Sequence, residues 1–174
     1  MHKAHLYRTT RCDGAEETRA GYNPLTMRTV NLSWRQAEQL SKRLAKKVRA
    51  SGFKPQYLVG ITVSGLFPVA LVAKAFDTKD VAIVSARSYS KRRQGKLKVT
   101  ALPRVDLRGK RVLLVDEIAD RGTTLKHISK ILIQHYKVRE LKTAVLVVNE
   151  KNCETWPDFY TMKVDKWVVF PWDK

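Results

Sequence analysis

The chain has 174 residues, a formal net charge of +18, 44% hydrophobic residues and 29% charged residues. That length fits one domain with a sizeable core, and the composition is that of an ordinary globular chain. Sparse glycine and proline exclude collagen-like or low-complexity chains, no apolar run is long enough for a bilayer, and the first residues, MHKAHLYRTTRCDG, lack the apolar stretch of a secretory signal.

A soluble, cytoplasmic protein without a membrane partner is therefore expected. Cys12 and Cys153 form neither a disulfide framework nor a metal motif. The positive excess attracts anions, and nucleic acid and a small polyphosphate both satisfy it.

In chain order, residues 1–30 are polar and arginine-bearing, broken by Gly14, Gly21 and Pro24, and read as a partly irregular N-terminal extension. Residues 31–174 read as the domain proper. Ser33 is placed to cap a helix, with Gln36 in the reciprocal capping-box position, and Trp34, Ala37, Leu40, Leu44 and Val48 follow at helical spacing until Gly52. The run 57–63, YLVGITV, predicts a buried strand. A helix follows over 66–75, with Pro68 tolerated in its first turn.

The run 81–85, VAIVS, predicts a second strand, and a basic polar stretch, 87–98, follows it as a loop. A third strand, 111–115, runs directly into Asp116 and Glu117. The next helix covers 124–136 and turns Leu125, Ile128, Ile131, Leu132 and His135 to one side. Strands over 142–148 and 166–170 complete the pattern. Strands alternating with helices predict an α/β domain with a mainly parallel central sheet flanked by helices. Ligands of such sheets sit beyond the carboxyl ends of the strands, here the loops 62–65, 116–123 and 149–153.

The segment 112–125, VLLVDEIADRGTTL, carries the most chemistry. An apolar strand delivers Asp116 and Glu117 to the sheet rim, where adjacent carboxylates accept hydrogen bonds from vicinal hydroxyls or hold a hard cation such as Mg²⁺. Asp120, Arg121, Gly122, Thr123 and Thr124 then form a turn that opens a helix, where free N–H groups, threonine hydroxyls and a cation make an anion site. Hydroxyl binding next to a phosphate cradle suits a ribose 5-phosphate. Neither a nucleotide-triphosphatase loop nor a dinucleotide-binding glycine fingerprint is present.

VLLVDEIADRGTTL resembles the PRPP-binding motif of type I phosphoribosyltransferases, with Arg121 where threonine is usual. VGITVSGLFP, 59–68, resembles the family's pyrophosphate loop, with Val63-Ser64 where a basic residue and a glycine often stand. Ser88-Tyr89 and the basic run through Lys98 resemble its flexible hood loop. WVVFPWD, 167–173, resembles the ending of the purine enzymes that take xanthine, guanine or hypoxanthine.

The resemblance implies transfer of the 5-phosphoribosyl group of PRPP to a 6-oxopurine, with Mg²⁺ as cofactor and pyrophosphate as product, in a homodimer or larger homo-oligomer. It implies ribose and metal binding by Asp116 and Glu117, 5-phosphate binding from Asp120 through Arg121, Gly122, Thr123 and Thr124, and pyrophosphate binding at Val63, Ser64 and Gly65. Asp120 would act catalytically beside the base. Trp167 would stack on the purine, the Val168 backbone would read its edge, and the base-reading lysine falls at Glu150 or, shifted by one residue, at Lys151. The alternative is a PRPP-sensing regulator of the same fold that binds nucleic acid through its basic surface.

Overall fold

The computed structural model describes residues 29–88 and 97–173. The elements, in order, are β1 (Thr29–Asn31), α1 (Trp34–Ala50), β2 (Tyr57–Thr62), α2 (Leu66–Phe76), β3 (Val81–Ser88), β4 (Leu97–Ala101), β5 (Arg111–Ala119), α3 (Thr123–Gln134), β6 (Glu140–Asn149), β7 (Phe159–Val164) and β8 (Trp167–Val169). The central sheet has six strands in the order β4-β3-β2-β5-β6-β7. All its pairings are parallel except β3 with β4. This is the mainly parallel α/β architecture that the alternating pattern predicts.

Strand residues largely alternate between two cores. Leu58, Leu113, Val115, Ala144 and Leu146 join Leu40, Leu44 and Val48 of α1 and Val69 and Val72 of α2. Val59, Ile61, Val112, Leu114 and Val145 join Leu125, Ile128 and Leu132 of α3. With a side-chain period of two, neighbouring strand residues serve opposite faces, so α1 and α2 cover one face and α3 the other. Val112 to Val115 are fully buried, and each such aliphatic side chain contributes about 1.5–3 kcal/mol.

Helix α1 starts as its capping box requires: Gln36 N–H donates to Ser33 Oγ at 3.3 Å, and Ser33 N–H donates to Gln36 Oε1 at 2.8 Å. Gly52 follows the helix at φ 79°.

Several expectations shift. The 166–170 strand forms as β8, but it pairs with β1 in a separate two-stranded sheet. Thr29 and Val30, assigned to the extension, belong to β1; residues 1–28 lie outside the described residues. The outer strand of the main sheet is instead β7, whose mixed sequence FYTMKV shows no clean alternation because it lies at an edge. The 87–98 stretch is not all loop. Arg87 and Ser88 end β3, and Lys98 sits exposed in β4 opposite Arg87, because Leu97 and Val99 pack on the α3-side core. Tyr89, the other expected hood residue, lies outside the described residues, as do Lys91, Arg92, Arg93 and Lys96. His135 is exposed rather than turned to the core, because α3 ends at Gln134.

Candidate active site

The site lies where β5 outruns its neighbour. Strand β5 pairs with β2 only as far as Val115, but with β6 as far as Ala119. Asp116 and Glu117 therefore project at an edge that β2 has vacated, and the 63–65 loop and the start of α2 fill the space beside them. Asp116 and Glu117 continue the strand rather than following it, so β5 is longer than the expected 111–115.

The loop after β2 is built around Gly65. A Cβ there would lie 2.3 Å from Ile61 O and 3.0 Å from Asp116 Oδ1, so only glycine lets the chain turn this tightly against the acid pair. The Thr62–Val63 peptide bond is cis. Gly65 caps α2 without a side-chain hydrogen bond, which leaves the helix's first N–H groups without a side-chain cap. Val63 is exposed and Ser64 half-buried at the mouth of this loop.

The acid pair is poised near neutrality. Burial pushes the Asp116 carboxyl up to about 8, opposed by the Glu117 N–H that donates to Oδ1 at 2.9 Å and reinforced by the Glu117 charge. Burial likewise pushes Glu117 up to about 7, opposed by hydrogen bonds from Trp172 and Ser64 and reinforced by Asp173. No group of three or more His, Cys, Asp or Glu side chains gathers around a common point among the described residues. A pair of half-buried carboxylates fits Mg²⁺, which keeps several waters and takes further oxygens from a substrate.

The turn after β5 is fixed from behind by the loop after β6. Glu154 N–H and Thr155 N–H donate to Arg121 O at 3.2 and 3.3 Å. Gly122 has φ 77°, and a Cβ on it would lie 2.0 Å from Thr155 O. Its small size thus serves the approach of Thr155, a reason the sequence did not disclose. Gly122 also caps α3 without a side-chain hydrogen bond, so the N-terminal N–H groups and the Thr123 and Thr124 hydroxyls are open to an anion.

Two adjoining clefts of about 400 Å³ each result. One is lined by 116–125 and holds Asp116, Glu117, Arg121, Gly122, Thr123 and Thr124. The other is lined by Asn149, Lys166, Trp167, Val168, Val169 and Phe170, among others. Glu117, Ile118 and Asp120 belong to both. Trp167 is 52% exposed, and Val168 is buried beside it. A larger cavity, about 700 Å³, lies at the opposite end of the sheet by Arg111. Three of its charged side chains are engaged internally, Lys142 with Asp158 at 3.0 Å and Arg111 Nε with Lys54 O at 2.6 Å, and it lies away from the strand ends where ligands of such sheets bind.

The expected base residue Lys151 is engaged in an exposed ion pair. Lys151 Nζ pairs with Asp165 at 3.4 Å and does not line the second cleft, whereas Lys166 does. Asn149 and Lys166 line the second cleft, and Asn152 and Trp172 hydrogen-bond to Asp120 and Glu117; the sequence pointed to the 149–153 loop but singled out none of these four side chains. Trp172 stood within the WVVFPWD motif, but nothing in the sequence linked its indole to Glu117.

Comparison with known proteins agrees with this geometry. Residues 32–174 match the phosphoribosyl transferase domain family. Xanthine-guanine phosphoribosyltransferase of Chromohalobacter salexigens is 31% identical over 145 residues, covering 82% of each chain. The enzyme of the same name from Cereibacter sphaeroides is 29% identical, covering 82% of this chain and 86% of its own. The crystal structure of purine phosphoribosyltransferase from Pyrococcus horikoshii superposes with a TM-score of 0.75 at 28% identity, covering 84% of this chain and 95% of that one. A strand-borne acid pair running into an uncapped helix start, matched along nearly the whole described chain, places the protein in the phosphoribosyl transferase family.

Proposed function

We propose that the protein is a purine phosphoribosyltransferase that transfers the 5-phosphoribosyl group of PRPP to guanine, xanthine or hypoxanthine and releases pyrophosphate. The observation that carries this reading is the meeting of the two clefts at Asp120: one has the donors for a ribose 5-phosphate, the other an exposed tryptophan beside backbone edges for a planar base.

In the proposed reaction the bond from C1′ to pyrophosphate breaks, a base ring nitrogen bonds to C1′, and the proton lost by the base passes to Asp120. Positive charge develops on the ribose, so the chain's work is to position reactants and balance charge. Asp116 and Glu117 hold the ribose hydroxyls. The turn Arg121, Gly122, Thr123 and Thr124 grips the 5-phosphate through helix N–H groups and hydroxyls. Val63, Ser64 and Gly65, at the uncapped start of α2, receive the pyrophosphate. Asp116 and Glu117 are also the residues to hold Mg²⁺, which when bound offsets phosphate charge.

On the base side, Trp167 stacks on the ring and the Val168 backbone reads its edge. Lys166 is favoured over Lys151 as donor to the purine carbonyl, because Lys166 lines the cleft while Lys151 is paired with Asp165. A homodimer or larger assembly is part of this proposal; it is supported by exposed Trp34 and Leu66 beside Phe67 on the α1–α2 face.

Incubating the protein with PRPP, Mg²⁺ and each base tests the reading. We expect nucleotide and pyrophosphate in equal amounts with at least one 6-oxopurine. No product with any of the three would sink it.

A further inference from the structure

We propose that Asn149 and Asn152 are positioning residues that hold the Asp120 carboxylate in its working orientation against the base; this rests on the purine-transfer reading above. Asn149 Nδ2 donates to Asp120 Oδ1 at 2.9 Å, and Asn152 Nδ2 donates to the same oxygen at 3.1 Å. These are the hydrogen bonds that the carboxylate accepts among the described residues, and both go to Oδ1. Oδ2 is thereby left for the substrate.

Asp120 needs such support. Its side chain is exposed, so packing does not choose its rotamer, and a change of rotamer would swing the carboxylate out of the junction between the clefts. The two amides replace the missing packing.

The orientation of the Asn149 amide is determined. Asn149 is the last residue of β6, and its Oδ1 accepts from Lys151 N–H at 3.3 Å. With the oxygen so committed, the amide nitrogen must face Asp120. The Asn149 carbonyl accepts from Asn152 N–H at 3.2 Å and Cys153 N–H at 2.9 Å, which winds the turn back so that Asn152 reaches the same target. The loop then binds Arg121 O through Glu154 and Thr155. A single loop therefore fixes both the side chain of Asp120 and the backbone that follows it. Neither asparagine lines the phosphate-side cleft, so their effect should be confined to the base-side chemistry.

The test is steady-state kinetics of Asn149→Asp, Asn152→Asp, Asn152→Ala and Asn152→Gln in the full chain, with thermal melting and PRPP affinity measured beside it. We expect kcat to fall roughly ten- to a hundredfold in both aspartate variants, the cost of a misplaced catalytic group. PRPP affinity and melting temperature should stay near wild type. Asn152→Gln, which keeps the amide donor, should recover part of the loss seen in Asn152→Ala. In an Asp120→Asn background the asparagine substitutions should cost nothing further, since groups that act as a unit are not additive.

Wild-type kcat in the asparagine variants, or a full additional loss on top of Asp120→Asn, overturns the assignment while leaving purine transfer intact. A wild-type protein that turns over no purine and binds no purine nucleotide overturns both. A variant that melts early is replaced by the milder Asn152→Ala, for which the same comparison holds.

Discussion

The Trp172 indole Nε1–H donates a 2.5 Å hydrogen bond to Glu117 Oε2, joining the end of the chain to the acid pair of β5. The indole is itself held in a stack, 4.6 Å from Phe67 of α2 and 5.0 Å from Phe170, with near-parallel rings. Oε2 of Glu117 is thus committed to the protein. Trp172→Phe keeps the ring stacking and removes the donor. We expect a loss of about 1–3 kcal/mol in stability, seen by denaturant unfolding, together with weaker PRPP binding in calorimetry.

The acid pair makes the unliganded protein sensitive to pH. In the unfolded chain these carboxyls titrate at about 4; folded, Asp116 is raised to about 8 and Glu117 to about 7. Between those limits the folded state binds more protons than the unfolded state, so stability falls as pH rises from about 4 to about 8. Their stabilising contribution is fully present below the unfolded value and is lost as pH climbs through the folded ones. We expect melting temperature to decline across this window in Mg²⁺-free buffer. Asp116→Asn should flatten the decline and raise the melting temperature at pH 8, while abolishing tight PRPP binding.

Gly122 is constrained twice, by its φ of 77° and by Thr155 O, which would lie 2.0 Å from any Cβ at this position. Gly122→Ala must distort the turn or push Thr155 away. We expect at least about 2 kcal/mol of destabilisation, or roughly 4–8 °C in melting temperature. Loss of 5-phosphate affinity should accompany it, measured with ribose 5-phosphate as the ligand.

The base-side lysines separate cleanly. Lys166→Ala should raise KM for the base about tenfold or more, the cost of one hydrogen bond to a bound polar group, with little change in KM for PRPP. Lys151→Ala breaks only an exposed pair with Asp165, worth at most about 1 kcal/mol. Equal effects of the two substitutions on KM for the base would reverse the assignment.

Much of this was legible in the sequence because local rules were strong. The β5 run VLLV is apolar enough to require a doubly covered strand, and the capping pair Ser33 and Gln36 marks the start of α1. The acid pair, the glycine and the threonines lie within one short segment, so their chemistry could be read without tertiary information. What was hidden depends on contacts between distant residues. The Asn149 and Asn152 amides reach Asp120 across 29 and 32 positions, and Trp172 reaches Glu117 across 55. The Lys166 placement depends on β8 leaving the main sheet to pair with β1, which no periodicity encodes. The sequence hides β7 because an edge strand has no need of continuous burial.

The most direct measurement is a crystal structure of the protein with GMP, the product of guanine transfer. The phosphate should lie on the N–H groups of Arg121 through Thr124, the ribose hydroxyls on Asp116 and Glu117, and the purine on Trp167 with its ring-nitrogen edge toward Asp120 Oδ2. A nucleotide bound with its base in the phosphate-side cleft, or bound away from β5 altogether, would contradict the assignment of the two clefts.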